Sequence, residues 1–391
     1  MVYGVWRVDR KPDVAQAAEM LGMLTELAKA VWQAHHKQEM RKVVENTNVQ
    51  ALSLNKMTQL DDPAMAKKLA ALRYPLIVKP AYGRSSEGVR KVTDGIEMRE
   101  AVRLLHEEGL AEYGIVLETF VDGPELDCNF VLRDGKILFF EATDDLPSAG
   151  DAGNATLADN FFETVMMSNS GLPLEEIEIL RSSLHRSLLL LGLGWGVFHV
   201  EARIQGSSMR YEDSQGDGIL DLVVNNTIGN ATTALSRESS AFMIEANVRP
   251  PGIAGSWATL YTYGVDFHAL HLLCAVGDRE RFDSLSKPFL FPPGAGGGGG
   301  AQHWTAQCVI PVHREGIRVP DAFFEKLHRI VPDMATHTAK AEVNAKCGTV
   351  VSPSGGVGLF AWCVLYTRMS SRYMLDMCHR VAEAARKVLD G

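Results

Sequence analysis

The sequence predicts an α+β fold, in which strands and helices mix without the regular strand–helix–strand order of a parallel sheet. Residues 125–131 and 136–140 have the composition of two paired strands, and Asp134-Gly135 is a typical hairpin turn between them. Residues 174–191 have the spacing of an amphipathic helix. With 391 residues, of which 46% are hydrophobic, the chain is long enough for two or three lobes.

Composition and charge exclude several classes of protein. The chain has a formal net charge of −9 and lacks a dense Lys/Arg run, which argues against a nucleic-acid partner. Six scattered cysteines without CxxC spacing indicate free thiols in a reducing compartment. The charged N-terminus does not resemble a signal peptide, and the apolar run 188–193 is too short to span a membrane. We therefore expect a cytoplasmic protein with no membrane partner.

The first third of the chain combines helices with one short hairpin. Apolar residues at three- and four-residue spacing predict helix from Asp13 to about Asn46, and the stretch 35–41 either continues or restarts it. The run Asp61-Asp62-Pro63 is typical of a helix start, and Asp94 is expected to begin a further helix. Between these two helices, residues 76–78 and 89–92 predict two strands around a loop of glycines and serines.

That loop has the residues needed to fold over a polyphosphate. Its two glycines allow close backbone approach, Ser85 and Ser86 offer hydroxyl groups, and Lys79 supplies a positive charge. An ordinary hairpin with a glycine turn has the same pattern, so the loop alone leaves both interpretations open. Neither the Walker pattern nor GxGxxG occurs, which excludes a P-loop and a Rossmann phosphate loop.

The rest of the sequence predicts two strands that carry polar side chains and a C-terminal α/β region. Residues 196–204 and 242–247 are the two strands, and the polar stretch 205–240 is expected to be an insertion between them. Residues 294–300 are nearly all glycine and predict a flexible loop. The other expected elements are helices after residues 266 and 277, a strand at 304–312, and helices at 320–331 and 372–389.

Three polar side chains on the two strands predict a metal site. Glu245 and Asn247 are two residues apart, and so share one face of a strand, where their oxygens can converge with Glu201. Carboxylate and amide oxygens suit Mg²⁺ that shares its shell with a triphosphate. Because neighbouring carboxylates in apolar strands repel, we expect a raised pKa or a basic neighbour, with Arg203 or Arg249 as candidates.

These motifs, in this order, resemble those of the ATP-grasp enzymes, the superfamily of D-alanine–D-alanine ligases, biotin carboxylases and L-amino-acid ligases. The run from Lys79-Pro80-Ala81 through Ser85-Ser86 to Gly88-Val89 and Lys91-Val92 is similar to the phosphate loop of the D-alanine ligases. The resemblance covers about residues 37–278 and implies an ATP-grasp fold of two α+β lobes that clasp ATP. It also implies Mg²⁺ (or Mn²⁺) as the metal.

The resemblance further implies a role for individual residues. Lys37 follows His36, where the family usually has Asp, and His199 stands where several members carry Arg or His. The implied roles are phosphate contacts for Lys37, Lys79, Ser85 and Ser86, adenine contacts for Glu118, Thr119 and Val121, a ribose contact for Glu125, metal ligation by Glu201, Glu245 and Asn247, and catalysis by Arg249 and His199.

The same resemblance predicts the domain organisation. Residues 1–36 form a short helical segment where family members usually carry a Rossmann-like domain, which we therefore expect to be short or missing here. Residues 37–278 form the ATP-grasp domain, with a first lobe at about 61–121 and a second at about 122–278. Residues 279–391 are expected to form a C-terminal α/β extension that packs on the second lobe.

The expected function is an ATP-dependent carboxylate–amine ligase that forms an amide bond through an acylphosphate. The region after Tyr263 and the run Phe161-Phe162-Glu163-Thr164 resemble the L-amino-acid ligases and carnosine-synthase-like enzymes. We therefore expect small carboxylate and amine substrates, with amino acids first among them, and a homodimer as the assembly to test. Two alternatives stay open: a truncated or regulatory ATP-binding protein without independent turnover, and an ATP-grasp metabolite kinase.

Overall fold

Antiparallel strand pairing organises the chain into two large sheets with helices packed around them. The computed structural model describes residues 11–44, 49–83, 85–226, 239–290, 301–353 and 358–391. The glycine run 294–300 lies outside these residues. Within them, no helix is both long enough and apolar enough to cross a membrane.

Helices make up much of the described chain. In chain order they are α1 (Lys11–Met20), α2 (Ala28–His35), α3 (Lys37–Val43), α4 (Pro63–Ala70), α5 (Gly95–Glu107), α6 (Leu174–Leu190), α7 (Ile253–Tyr263), α8 (Phe267–Val276), α9 (Arg279–Leu285), α10 (Phe323–Ile330), α11 (Met334–His337) and α12 (Ser371–Asp390).

The strands alternate irregularly with these helices. They are β1 (Ala51–Leu54), β2 (Leu76–Pro80), β3 (Arg90–Val92), β4 (Ile115–Thr119), β5 (Glu125–Arg133), β6 (Lys136–Asp145), β7 (Val165–Ser168), β8 (Gly196–Gln205), β9 (Met209–Glu212), β10 (Asp221–Val224), β11 (Ser240–Asn247), β12 (Trp304–Pro311), β13 (Ile317–Arg318), β14 (Thr338–Val343), β15 (Val350–Val351) and β16 (Leu359–Thr367). The predicted α+β fold class is confirmed.

The smaller of the two large sheets carries the predicted phosphate loop. Its four strands lie in the order β1-β4-β2-β3, and β2 pairs antiparallel with β3, as the hairpin prediction requires. Helix α5 covers this sheet. Asp94 caps the start of the helix by accepting hydrogen bonds from the N–H groups of Ile96 and Glu97 at 2.8 and 2.9 Å. Leu105 of that helix packs against Leu117 in the buried core beneath it.

The larger sheet has eight strands in the order β11-β8-β5-β6-β7-β12-β16-β14. Alternation along β5 puts Leu126, Cys128 and Phe130 on one face, where they pack against helix α6. The opposite face therefore carries Glu125 and Asp127 toward the space between the two sheets. Strands β12, β14 and β16 come from the region expected as an extension, and they hydrogen-bond into this same sheet.

The N-terminal region predicted as helical over residues 13–46 is divided, and of the two possibilities for residues 35–41 the structure has the restart. The structure has three shorter helices there, α1, α2 and α3, and residues 45–48 lie outside the part that it describes. Gly22 ends the first of them with a left-handed φ of +65°. His36 separates the second from the third because its backbone is extended, with φ −93° and ψ 100°. The break makes Lys37 the first residue of α3.

The stretch 205–240 does separate two neighbouring antiparallel strands, β8 and β11. Its described part contains β9 and β10, which pair with each other as a small hairpin. Residues 227–238 are outside the described chain. Because β8 and β11 are adjacent despite this insertion, their polar residues meet directly across the ladder.

Candidate nucleotide and metal site

A cavity of about 490 Å³ lies between the two large sheets. The smaller sheet and its hairpin form one wall, and the polar face of the larger sheet forms the other. All the residues singled out from the sequence line this cavity: Lys37, Lys79, Ser85, Ser86, Glu118, Thr119, Val121, Glu125, His199, Glu201, Glu245, Asn247 and Arg249.

Lys79, at the end of β2, is buried in an ion pair with Glu118 of the adjacent strand β4. Arg41 of α3 pairs with the other carboxylate oxygen of Glu118 at 3.1 Å. Burial raises the pKa of Glu118, but Arg41 and Lys79 outweigh it and hold that pKa below its usual range. Burial and the nearby charge of Arg41 lower the pKa of Lys79 despite its pairing with Glu118. Two cations, Lys79 and Arg41, thus face the single carboxylate of Glu118.

Lys37 spans the cavity to the metal-ligand strand, with its Nζ 2.7 Å from Oε2 of Glu245. Burial lowers the pKa of Lys37, but the charge and hydrogen bond of Glu245, together with the charges of Glu201 and Glu118, outweigh burial, so the net shift is upward. Burial likewise raises the pKa of Glu245, and Lys37 overcomes it and lowers that pKa to about 2. The basic neighbour expected for Glu245 is therefore Lys37 first, although Arg249 also lowers its pKa.

The predicted phosphate loop has an unusual backbone. Ser85 and Ser86 both have left-handed φ angles, +50° and +54°. Gly88 has φ +73°, and a Cβ there would lie 2.6 Å from a methyl carbon of Leu105. Only glycine fits at that position. The loop thereby returns to β3 closely enough to pack on the core while its serines face the cavity.

The segment predicted to bind the adenine and ribose connects the two sheets. Thr119 ends β4, and the carbonyl of Val121 accepts a hydrogen bond from Arg203 at 3.2 Å. Gly123 has φ +125°, and a Cβ there would lie 2.2 Å from the carbonyl oxygen of Ile204. The close approach fixes the connection against β8. Glu125 then begins β5 and accepts a hydrogen bond from Nε of Arg203 at 2.8 Å.

Carboxylates form a row across the three strands of the larger sheet that border the cavity. Glu245 of β11 lies opposite Glu201 of β8, which lies opposite Asp127 of β5. Burial, and then the charges of Glu245 and Glu163, raise the pKa of Glu201 well above its usual range. Burial and the charge of Glu201 do the same to Asp127. The expected raised pKa is thus found at Glu201.

The donor set suits a divalent ion of the magnesium type. Asn247 is 2% exposed, and its Oδ1 is buried without a hydrogen-bond partner in the described structure. An oxygen in that state needs a donor or a cation. Together with the carboxylates of Glu201 and Glu245, it supplies the hard oxygen ligands that Mg²⁺ prefers.

His199 is held by a chain of buried hydrogen bonds. Thr259 donates to Glu141 at 2.5 Å, and Nδ2 of Asn129 donates to the same oxygen at 2.8 Å. The Oδ1 of Asn129 is then left to accept from Nδ1 of His199 at 2.9 Å. This fixes the proton on Nδ1 and turns Nε2 toward Glu201, 3.8 Å away. Burial raises the pKa of Glu141 to about 7.

Arg41, Asp127 and Glu163 went unassigned in the sequence interpretation, and Arg203, expected as a basic neighbour of the metal carboxylates, pairs instead with Glu125 and Asp151. Arg41 follows Lys37 by one helical turn, a spacing that could have indicated a shared face. Asp127 follows Glu125 by two residues in a strand, which could also have been recognised. Glu163 and the ion pairs of Arg203 carried no such local signal, because distant parts of the chain bring them to the cavity.

The C-terminal region supplies one end of the cavity. The lining there comes from strands β12 and β16 and from the turn that follows β14, through the residues Gln307, Val309, Asn344, Leu359 and Trp362. This end is largely apolar and lies beyond the rows of charged residues. Specificity for whatever occupies it would depend on these side chains.

Comparison with known proteins supports this description. A family model described as "D-ala D-ala ligase C-terminus" matches residues 41–147. The ATP-grasp enzyme fsqD of Aspergillus fumigatus is 34% identical over 339 residues, which are 84% of this chain and 56% of that protein. The chain spans about half the length of the curated relatives it matches, 56% and 45% for the first two.

Solved structures have a similar fold. An L-amino acid ligase from Bacillus licheniformis aligns with a TM-score of 0.67 at 18% identity, over 97% of this chain and 78% of that one. A carboxyaminoimidazole ribonucleotide synthase from Aspergillus clavatus, solved with ATP, aligns with a TM-score of 0.62 at 11% identity, over 97% and 80%. Two sheets that enclose one cavity between them therefore define an ATP-grasp fold. The chain belongs to the ATP-grasp ligase family.

Proposed function

We propose that the chain is an ATP-dependent carboxylate–amine ligase, which forms an amide bond through an acylphosphate and releases ADP and phosphate. The observation that carries the proposal is the distribution of charge in the cavity. Lys37 and Lys79 line one side, with Arg41 paired to Glu118 beside them, and the row Glu245, Glu201 and Asp127 lines the other. A triphosphate needs the cations, and a phosphate-bridging metal needs the carboxylates.

Lys37 and Lys79 would hold the α- and β-phosphates of ATP. Each is paired with a carboxylate, Lys37 with Glu245 and Lys79 with Glu118, and each would turn to a phosphate when the nucleotide enters. Arg41 stays on Glu118 at 3.1 Å, so that carboxylate keeps a partner. The hydroxyl groups of Ser85 and Ser86 would close over the phosphates.

The base and sugar would lie along the segment that joins the sheets. Thr119 and Val121, with Glu118, offer backbone groups to the adenine, while Glu125 accepts hydrogen bonds from the ribose hydroxyls. Glu125 already has one cationic partner in Arg203, at 2.6 Å. This role requires that Arg203 stay in place during binding.

In the transfer step, the γ-phosphate passes to a substrate carboxylate, and the amine then displaces phosphate from the acylphosphate. Arg249 would stabilise the charge that develops on the moving phosphoryl group. His199, oriented through Asn129, would present Nε2 to the same region. Glu201, Glu245 and Asn247 would hold Mg²⁺, which when bound neutralises charge on the phosphate oxygens.

The expected substrates are small carboxylates and amines, amino acids foremost. All six cysteines are free thiols, which supports the expected cytoplasmic location. The homodimer and the domain boundaries expected from the sequence stay predictions.

The test is a screen for ADP release with amino acids supplied singly and in pairs, and with mass spectrometry of the products. We expect ADP release that requires both an acid and an amine, with an amide as the product. Glu245→Gln should reduce turnover roughly a hundredfold or more, because it removes a metal-binding charge. Glu178→Gln, an exposed glutamate of helix α6, is the matched control and should leave turnover unchanged.

The outcomes separate the competing functions. A phosphorylated hydroxyl compound as product would identify a metabolite kinase. ATP binding without ADP release from any pair would identify an ATP-binding protein that lacks independent turnover. Full Mg²⁺-dependent turnover by Glu245→Gln would show that the metal ligands are elsewhere.

A further inference from the structure

A second group of carboxylates meets at the edge of the main cavity, beside the predicted ribose position. Glu125, Asp145 and Glu163 each offer an oxygen, and these oxygens all lie within 4.8 Å of one another. Glu125 and Asp145 are directly opposite on β5 and β6, and Glu163 precedes β7. Three negative charges at this separation repel strongly when they are shielded from water.

The protein supplies little positive charge to balance them. Arg203 pairs with Glu125 at 2.6 Å, but the same guanidinium nitrogen also pairs with Asp151 at 2.5 Å. Among the described residues, no ion pair reaches Asp145 or Glu163. Burial and the neighbouring carboxylates raise the pKa values of Asp145 and Glu163, and the charge of Arg249 offsets only part of the shift at Glu163.

Asp145 gives the independent sign that a ligand completes the group. Its side chain is 6% exposed, and its Oδ1 is buried without a hydrogen-bond partner. The residue lines a second cavity, of about 360 Å³, which adjoins the first and shares Glu125, Phe161 and Arg203 with it. A buried, unpaired carboxylate oxygen beside an open cavity calls for a donor that also carries positive charge.

The surroundings favour an organic cation over a metal ion. Phe161 lines both cavities, and Phe162 lies on the main one next to Glu163. An aromatic ring beside carboxylates suits an ammonium group, which can contact the ring face and donate three hydrogen bonds. A divalent ion instead requires oxygen ligands or water on every side.

We propose that Asp145 and Glu163, next to the Glu125 assigned to the nucleotide, bind the ammonium group of an amine-bearing substrate. The inference rests on the proposed ligase function, and it names the substrate class: a compound with a free primary ammonium, such as an unmodified amino acid. Acylation of that nitrogen removes both the charge and two of the donors, so N-acylated analogues are excluded from the subsite.

The test measures binding directly, without turnover. Ligand-observed NMR follows n-butylammonium chloride, and n-butanol as its uncharged counterpart, with the whole chain in the presence of Mg²⁺ and a non-hydrolysable ATP analogue. We expect saturable binding of butylammonium and none of butanol. Glu163→Gln and Asp145→Asn should each weaken butylammonium binding roughly tenfold or more. Asp122→Asn, which removes a charge from the second cavity but not from the trio, should stay within about twofold.

Folding is checked separately. Each variant removes one of three repelling charges, so the ligand-free variants should melt at or above the temperature of the unchanged protein. Glu125 is left intact, because nucleotide binding is assigned to it, and the affinity for the ATP analogue should not change in either variant.

Three results would overturn the proposal: no binding of butylammonium to the unchanged protein, undiminished binding in both variants, or Mn²⁺ binding without nucleotide that both variants abolish. The last result would make the trio a metal site. If butylammonium binds as expected while the ADP-release screen stays silent, the ligase function fails and the ammonium subsite stands.

Discussion

Lys79 is a buried partner of Glu118, and in the proposed function it also binds phosphate. Lys79→Met keeps the length of the side chain and removes the charge. We expect the affinity for an ATP analogue to fall by about 1.5–3 kcal/mol, the value of a lost charge-assisted hydrogen bond. The protein should remain folded, because Arg41 still pairs with Glu118 at 3.1 Å.

Isothermal titration calorimetry measures that affinity, and circular dichroism reports the fold. Lys67→Met, on the exposed side of helix α4, is the control for loss of a lysine charge. An unchanged affinity in folded Lys79→Met would remove Lys79 from the phosphate site.

Glu141 should make stability depend on pH. Burial raises its pKa from 4.5 to about 7 in the folded chain, so the folded state keeps a proton that the unfolded state releases between those values. Its contribution is therefore most favourable below pH 4.5 and is lost as the pH rises to 7. Glu141→Gln cannot ionise and can still accept from Thr259 and Asn129. The change that Glu141→Gln makes to the free energy of unfolding should be more favourable at pH 8 than at pH 5 by about 2 kcal/mol.

Urea denaturation at the two pH values measures this difference. Glu178→Gln serves again as the control for replacing a carboxylate. A difference between Glu141→Gln and the unchanged protein that is the same at both pH values would mean that Glu141 is ionised throughout.

Whether a residue's role could be predicted depended on how local its signal was. Lys79 with Ser85 and Ser86, and Glu118 through Glu125, lie in short continuous motifs, so the sequence alone brings them together. The period of a strand likewise joins Glu245 to Asn247. The pairing of Lys37 with Glu245 and the meeting of Asp145 with Glu163 arise from contacts between distant segments, which no local pattern encodes.

At the scale of secondary-structure elements, the hairpin β2–β3 is the part that should respond to nucleotide. Its serines gain phosphate partners only when ATP is bound. Amide hydrogen exchange of residues 85–89 should therefore slow when a non-hydrolysable ATP analogue is added. Helix α5, which packs on the same sheet through Leu105, is the internal control and should not change. Exchange at 85–89 that ignores the nucleotide would exclude a covering role for the loop.

Element boundaries show the limits of periodicity as evidence. The apolar spacing over residues 13–46 is helical, and the chain there is largely helical, yet it breaks at Gly22 and at His36. The spacing of apolar residues predicts which face of a helix is buried. It does not predict where the helix breaks, and at His36 the break is the extended backbone of that residue. Asp94, by contrast, is a local cap, and the helix start predicted from it is confirmed.

At the scale of the whole molecule, nucleotide binding should be linked to proton release. Burial and neighbouring carboxylates raise the pKa values of Glu201 and Asp127 well above their usual range. If Glu201 holds a metal with ATP, as proposed, its ionised form would be favoured, which would lower its pKa and release the proton. Protons should therefore be released on binding, and affinity for the Mg²⁺–nucleotide complex should rise with pH while these groups titrate.

Calorimetry of Mg²⁺–nucleotide binding in buffers with different ionisation enthalpies measures the number of protons. The observed enthalpy should vary linearly with the ionisation enthalpy of the buffer, with a slope that signifies release. Glu201→Gln should reduce that slope. A slope of zero for the unchanged protein would contradict the raised pKa of Glu201.

The continuous eight-stranded sheet has a consequence for how such a chain can be divided. Strand β7 lies between β6 and β12, so a chain that stopped after residue 278 would leave β7 as a bare edge, open to pairing with other molecules. Such a fragment would tend to aggregate, because it would lack β12 of the C-terminal third, which pairs with β7 and covers this edge. For protein engineering, and for exchange of segments between related genes, the interchangeable unit is then a group of paired strands, and a cut at the sequence-predicted boundary falls within that unit.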